Sequence, residues 1–457
     1  MKKNYIRLKS YSTVGDSSWI EIFERGYERQ VSAEGNTYEE KILSLAQVHY
    51  LLNYEDIKKE DHIPAWLGEL NSERLTIISL SQRLIELHKA LIYLRERYDL
   101  KFEISIYLNS VMPVLKTINE FIEIKSEDDE IVVNSKFSSR LINSSLGKSI
   151  EAIKVKPPIP ELCLGESPKY KTYKLKDKEE INLGIFSRII PGKLTHIVID
   201  MMTLLDEKYK LNIYGFEQQP TEYQHDLMNM IRNLNLEKRV RCKKKVNDYD
   251  SRKKAFLEND ICINLSATFE ETLGKTILEA CYWGRTVIAN EWSGFLDILP
   301  DNQIVSTYWN AQEWYYARAI DLSEKIMEIK EINEQHNKNI YLKFFESVNR
   351  NQNRIEGKDV KESVVGKNKH SMSITKLKDK TEIRESIEKL FAPNLRKETN
   401  LGSTDTHHPW TIYAMNESND VIIEKVQNWK LYNKMSIHKS EANNIISMLK
   451  QHKSNEK

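Results

Sequence analysis

Asn259-Asp260-Ile261-Cys262-Ile263-Asn264-Leu265-Ser266, followed closely by Glu270-Glu271-Thr272-Leu273-Gly274-Lys275-Thr276-Ile277-Leu278-Glu279-Ala280, decides the fold of this chain. The first stretch reads as a short buried strand. The second opens as a loop and runs into a helix. Seven residues separate Glu271, in the loop, from Glu279, about two turns down the helix. Strand, loop and helix in that order make one step of a parallel βα sheet, whose ligands bind beyond the carboxyl ends of the strands. A helix starting near Gly274 aims backbone N–H groups at that edge, where an anion is favoured. Gly274 lets a ligand approach the backbone closely.

The same step recurs on both sides of this stretch. Upstream, Ile181–Phe186, Tyr209–Tyr214 and Val240–Val246 read as strands, with helices over Thr195–Leu205, Thr221–Leu234 and Arg252–Glu258. Downstream, the helix Thr276–Trp283 leads to a strand over Thr286–Ala289. Gln312–Ile329 and Glu331–Asn349 read as closing helices. The N-terminal part alternates too. Strands are predicted at Asn4–Lys9, Leu75–Leu80, Phe102–Leu108, Glu130–Asn134 and Ile150–Val155. Helices are predicted at Ser18–Arg29, Tyr38–Leu52, Gln82–Tyr98, Val114–Ile122 and Ser138–Leu146. Pro157-Pro158-Ile159-Pro160 stiffens the join between the two alternations. The expectation is an α/β protein of two Rossmann-like, doubly wound domains, 1–165 and 166–350. A linker over Glu356–Lys369 then opens a mostly helical extension, 351–457.

Composition narrows the class. The 457 residues are 40% hydrophobic and 30% charged, as in a protein with a polar surface, and suffice for two or three domains. Lys+Arg number 68 against Asp+Glu 67, so no whole-molecule field draws the chain to a polyanion, which disfavours a dedicated nucleic-acid binder. The scattered Cys163, Cys242, Cys262 and Cys281 imply neither a zinc site nor a disulfide framework, and a cytoplasmic setting is expected. The N-terminus lacks the apolar core of a signal peptide, and no apolar run is long enough to span a bilayer. Peripheral membrane contact stays open.

Chemistry gathers at the strand ends of the second domain. Ile181–Phe186 runs into Ser187-Arg188-Ile189-Ile190-Pro191-Gly192-Lys193, which sets a planar guanidinium and a compact ammonium five residues apart on a Gly/Pro turn. Both suit phosphate oxygens, although two solvated loop cations would look the same in isolation. Glu279 is able to accept the two hydroxyls of a ribose, and Glu271 those of a second sugar, each bond worth ~1.5–3 kcal/mol. Trp292-Ser293-Gly294-Phe295-Leu296-Asp297 follows the next strand.

Together, over roughly Asn182 to Tyr308, these motifs resemble a retaining glycosyltransferase of the GT-B fold, most like glycosyltransferase family 4 (group 1). The family pattern is a Gly-Arg…Pro-Glu-Lys-Gly loop, two glutamates spaced as here, then a glycine followed by an acidic residue. The matching positions are Arg188, Pro191 and Lys193, then Glu271, Gly274 and Glu279, then Gly294 with Asp297. Ser187, Gly192, Leu194 and Leu273 depart from it, where glycine, glutamate, glycine and an aromatic are usual. The resemblance implies two domains facing a cleft. It implies Arg188 and Lys193 on a nucleoside diphosphate, Glu279 on the ribose, and Glu271 on the donor sugar. Thr272, the amides of Leu273 to Lys275, and Gly294 would line the same pocket. It implies retention, no metal and no cofactor, and a nucleotide-sugar donor, a UDP-sugar by family frequency. The acceptor is unspecified: saccharide, lipid, protein or small molecule.

The first domain carries weaker signals. Gly15, in Gly15-Asp16-Ser17-Ser18, either brings backbone near the diphosphate or acceptor or forms a strand–helix turn capped by serine. Asn109 follows a strand and is a candidate acceptor-side residue. His62 and His88 read as structural or solvated. Glu127-Asp128-Asp129-Glu130 reads as a solvated loop. The basic run 238–245 reads as one solvated strand face, with a nucleic-acid acceptor as the rival reading. Asp405-Thr406-His407-His408 resembles metal ligands, yet adjacent histidines on one loop rarely face one ion. A further rival is a non-catalytic GT-B subunit that supports a partner transferase.

Overall fold

The computed structural model describes residues 4–10, 28, 32, 37–43, 74–79, 82–108, 111, 118, 121–123, 125–146, 153–164, 168–269, 271–309, 315–355, 386 and 388–397. The chain divides into two compact units, Met1–Leu164 with Phe345–Ile387 and Gly165–Phe344 with Glu388–Lys457. Each described unit is built on one parallel six-stranded sheet. Among the described residues no helix is long and apolar enough to cross a membrane.

The first sheet holds β1 (Asn4–Ser10), β2 (Thr37–Leu43), β3 (Arg74–Ser79), β4 (Glu103–Leu108), β5 (Glu130–Val133) and β6 (Ile153–Val155), in the order β2-β1-β3-β4-β5-β6. Helices α1 (Gln82–Arg97) and α2 (Lys136–Leu146) connect its strands. Strands β4 and β5 are buried almost throughout, as expected of a sheet covered on both faces.

The second sheet holds β8 (Ile181–Phe186), β9 (Tyr209–Phe216), β10 (Val240–Lys244), β11 (Ile261–Asn264), β12 (Thr286–Asn290) and β13 (Ile304–Val305). Its order is β10-β9-β8-β11-β12-β13, so the winding reverses between β8 and β11. Its crossovers are α3 (Thr195–Met201), α4 (Glu222–Asn233), α5 (Tyr249–Leu257) and α6 (Lys275–Tyr282). With right-handed crossovers, α3 and α4 cover one face and α5 and α6 the other. Trp283, Trp292, Phe256 and Phe295 are fully buried in this unit, each worth ~1.5–3 kcal/mol. Further along come the short helix α7 (Phe295–Ile298), then α8 (Ala319–Glu328) and α9 (Glu334–Ile355). A small sheet joins β14 (Tyr308–Trp309) to β15 (Tyr315–Tyr316) and to β17 (Arg396–Lys397), and β7 (Thr172–Lys174) pairs with β16 (Glu331–Asn333).

Four expectations are corrected. Tyr38–Leu52 was expected to be helical, but 37–43 is strand β2, paired parallel with β1 over all seven residues. Gln312–Ile329 is not one helix: Tyr315–Tyr316 pairs with Tyr308–Trp309, and the helix starts only at Ala319. Glu331–Asn333, expected at the start of a closing helix, is strand β16. The acidic run 127–130 is no solvated loop throughout. Asp129 is 1% exposed and takes a bidentate pair from Arg95, both bonds 2.7 Å, plus the amides of Ile104 and Ser126. Burial pushes its carboxyl up, but the Arg95 and backbone bonds outweigh it and hold it below the usual carboxylate range. Ser18–Arg29 and Val114–Ile122 fall mostly, and Glu356–Lys369 wholly, outside the described residues.

Candidate active site

The reversal between β8 and β11 sets the site, because loops leaving adjacent strands in opposite directions open a crevice at the carboxyl edge. The β8 loop ends in a 3-10 turn, Pro191–Lys193, and Leu194 takes a left-handed φ of 52° to start α3. The β11 loop runs from Leu265 to Gly274. The two loops are tied directly, since the Ala267 amide donates to the Gly192 carbonyl at 2.8 Å. Ser266 and Asn290 hold the β11 loop to β12 through reciprocal bonds of 2.8 Å each.

Lys193 is largely buried, and its Nζ donates to Glu271 Oε2. Its other contact is Ser266 Oγ, 3.5 Å away. Glu271 Oε1 accepts the Gly274 amide at 3.0 Å, so this carboxylate joins the cation of one loop to the helix start of the other. Burial raises the Glu271 carboxyl, but Lys193, the Gly274 amide and the charge of Arg188 lower it further, leaving it below the usual range. Glu271 is therefore an anion at neutral pH. Arg188 is exposed at the end of β8, near enough to act on that charge.

Gly274 caps α6 at a φ of 77°, a conformation that glycine takes without strain. Its neighbours Thr272 and Leu273 are each 2% exposed. Gly294 is needed for a different reason: a Cβ there would lie 2.1 Å from the Thr272 carbonyl oxygen. Backbone thus presses on backbone, and the β12 loop buttresses the Thr272–Leu273 turn. Asp297 lies in the first turn of α7.

Glu279 lies in the second turn of α6 and is 1% exposed. Arg252 Nη2 bridges its two oxygens at 2.7 and 2.6 Å, and Lys275 Nζ lies 3.7 Å from Oε1. The two glutamates are thus separately paired, Glu271 to the β8 loop and Glu279 to α5. Arg252 was missed from sequence because it sits among many cations, Lys243, Lys244, Lys245, Lys253 and Lys254 included. Ser266, Asn290 and Trp292 were missed as well. Asn290 left one usable signal, a polar residue closing an otherwise apolar strand. Among the described residues, three buried hydroxyls at this edge, Ser187 Oγ, Thr195 Oγ1 and Ser293 Oγ, have no hydrogen-bond partner, which is unusual for buried polar atoms.

Gly15 and Asn109 lie outside the described residues, as do His62, His407 and His408. The basic run forms edge strand β10, where Lys243 bonds Tyr214 Oη at 3.0 Å and Glu258 at 3.2 Å. Just before it, Arg239 Nη2 caps the carbonyls of Leu205 and Asp206, each at 2.9 Å.

Residues 167–343 match the family model for glycosyl transferases group 1. Over this stretch the chain is similar to that family. A search of curated proteins by sequence returned no match. Among solved structures, a Rickettsia africae glycosyltransferase is 13% identical with a TM-score of 0.54, the match covering 78% of this chain and 98% of that one. Anabaena Alr3699/HepE, solved with UDP and glucose, is 14% identical with a TM-score of 0.52 over 77% of this chain and 98% of its own. Sucrose-phosphate synthase from Thermosynechococcus elongatus is 11% identical with a TM-score of 0.53 over 78% and 98%. At these identities the likeness shows the fold, which is GT-B. Arg188, Lys193, Glu271, Gly274, Glu279 and Gly294 all fall within the group 1 stretch.

Proposed function

We propose that this protein moves a glycosyl group from a nucleoside-diphosphate sugar, a UDP-sugar, to an acceptor, with retention and without a metal. One observation carries the reading. At the reversal of the second sheet, Glu271 links the buried Lys193 to the amide at the start of α6. The same few ångströms thus hold a cation, a helix N-terminus and an ionised carboxylate. Arg188, Lys193 and the amides of Leu273 to Lys275 hold the diphosphate. Glu279 takes the ribose hydroxyls, and Thr272, Gly274 and Gly294 shape the wall. The solved Anabaena relative in complex with UDP and glucose supports this donor class.

The chemistry follows from charge. The bond between the anomeric carbon and the diphosphate oxygen breaks, and the leaving group gains negative charge that preorganised donors stabilise. Arg188, Lys193 and the helix amides supply those donors. The anomeric carbon becomes oxocarbenium-like, and in this reading the Glu271 anion holds the sugar hydroxyls and offsets that charge. The acceptor oxygen bonds to the same face, and its proton passes to a phosphate oxygen of the leaving diphosphate. Residues 1–165 would hold the acceptor, 166–350 the donor, and 351–457 would form a linker and extension. The described free cysteines fit a cytoplasmic setting.

The test is slow donor hydrolysis. Purified protein is incubated with labelled UDP-, GDP-, ADP- and TDP-sugars, with Glu271→Ala as control. Release of free sugar from one donor class, abolished in the variant, is expected. Nucleotide binding with no hydrolysis or transfer would point instead to a non-catalytic subunit.

A further inference from the structure

Residues 388–397 lie beyond the stretch 167–343 matched by the family, yet they are built into the donor-side loops. Phe391 is fully buried, with its ring 4.8 Å from that of Phe269 and 5.4 Å from that of Trp292. Phe269 stands two residues before Glu271, and Trp292 two before Gly294. The two flanks are also joined by Trp292 Nε1, which donates to the Thr268 carbonyl at 2.9 Å.

The backbone is held as well. The Ser293 amide donates to the Phe391 carbonyl at 2.6 Å. Ser293 has a φ of 46°, a left-handed conformation that costs a non-glycine residue energy unless its surroundings enforce it. The next residue, Gly294, is the one pressed against Thr272. Asn394 donates through N and Nδ2 to Glu291 Oε1 at 2.7 and 2.8 Å. Tyr315 Oη donates to Glu388 Oε1 at 2.7 Å, and the Arg396 amide to the Thr307 carbonyl at 3.1 Å. Polar anchors therefore secure both ends of the segment, and an aromatic plug fills its middle.

We infer that Glu388–Lys397 is a positioning segment of the donor site: Phe391 and Asn394 hold the 291–294 loop in the strained form that braces Thr272–Gly274. The inference rests on reading that turn as donor-binding. Mechanically, the Phe391 carbonyl fixes Ser293, Ser293 fixes Gly294, and Gly294 fixes the Thr272–Leu273 turn. Without the segment, Ser293 relaxes, Gly294 withdraws, and the amides of Leu273 to Lys275 lose their aim.

The experiment uses the full chain with Phe391→Ala, Phe391→Leu and Asn394→Ala. Calorimetric affinity is measured for whichever of UDP, GDP, ADP or TDP the unsubstituted protein binds most tightly. Melting temperature and the donor KM and kcat are measured alongside. Phe391→Ala should weaken nucleotide binding by ~10-fold or more, since sub-ångström misplacement is costly at such sites. Asn394→Ala should weaken it several-fold, and Phe391→Leu should restore most of the loss. KM should rise more than kcat falls, whereas a smaller folded fraction would lower kcat alone. If Phe391→Ala does not fold, Asn394→Ala decides. Folded variants that bind like the unsubstituted protein would overturn the inference while leaving the donor site standing. Failure of the unsubstituted protein to bind any of the four nucleotides would overturn both.

Discussion

Gly294→Ala places one methyl group where the account requires none to fit. The added Cβ would lie 2.1 Å from the Thr272 carbonyl oxygen, 2.8 Å from its carbon and 3.0 Å from Leu273 Cα. All three are backbone atoms, so no rotamer change relieves the clash. A carbon rests comfortably against a carbonyl oxygen at ~3.3–3.6 Å, so the two loops must part by roughly 1 Å. Overpacking of this kind costs ~1–3 kcal/mol, a fall in melting temperature of several degrees for a domain of this size. The functional effect should be larger, because ~1 Å of misplacement can cost ~100-fold. The assay pairs thermal melting with calorimetric nucleotide affinity. Gly284→Ala is the control: its Cβ would lie 2.6 Å from Glu334 Cβ, at a φ of 75°, beyond the far end of α6. That substitution should lower stability and leave nucleotide affinity alone. Wild-type affinity and melting in Gly294→Ala would refute the claim that the two loops brace one another.

The other predictions divide the site by role. Glu279→Ala should weaken nucleotide binding, whereas Glu271→Ala should spare it and depress transfer; calorimetry and a transfer assay with both variants check this, and intact transfer in both would reject the assignment. Arg252→Met leaves the buried Glu279 charge only the longer 3.7 Å pair with Lys275 and should cost up to ~3–5 kcal/mol in urea unfolding, with Arg252→Met/Glu279→Gln recovering most of it. Glu271 has a lowered folded pKa, so its stabilisation is complete above the unfolded value of ~4.3 and is lost as pH falls through the folded one; unfolding midpoints from pH 6 to pH 3 should fall more steeply in the wild type than in Glu271→Gln. Glu291 runs the other way. Burial raises its carboxyl, so its charge opposes folding above the folded pKa, and Glu291→Gln should match or exceed wild-type stability at pH 7, with the difference vanishing in acid.

Strands β8, β11 and β12 of the second sheet were legible because they are short apolar runs closed by Ser or Asn, and the helix after β11 carries its own glycine start. The identities of Glu271, Glu279, Arg188 and Lys193 were legible as a spaced pattern. Their pairing was not, because nothing in spacing says that Lys193 takes Glu271 while Arg252 takes Glu279. Strand β2 was misread because Thr37-Tyr38-Glu39-Glu40-Lys41-Ile42-Leu43 contains helix-favouring Glu and Lys, and pairing with β1 overrides that local preference. Asp129 looked solvated because its partners Arg95 and Ile104 are remote in sequence. The role of Phe391 is invisible locally for the same reason: a lone aromatic in a polar tail becomes a plug only when Phe269 and Trp292 surround it.

A crystal structure with bound UDP puts the donor pocket to its plainest test. The account predicts the two phosphates between Arg188, Lys193 and the amides of Leu273 to Lys275, with the ribose hydroxyls on Glu279. A nucleotide seated elsewhere, with the start of α6 and both cations untouched by phosphate, would contradict it.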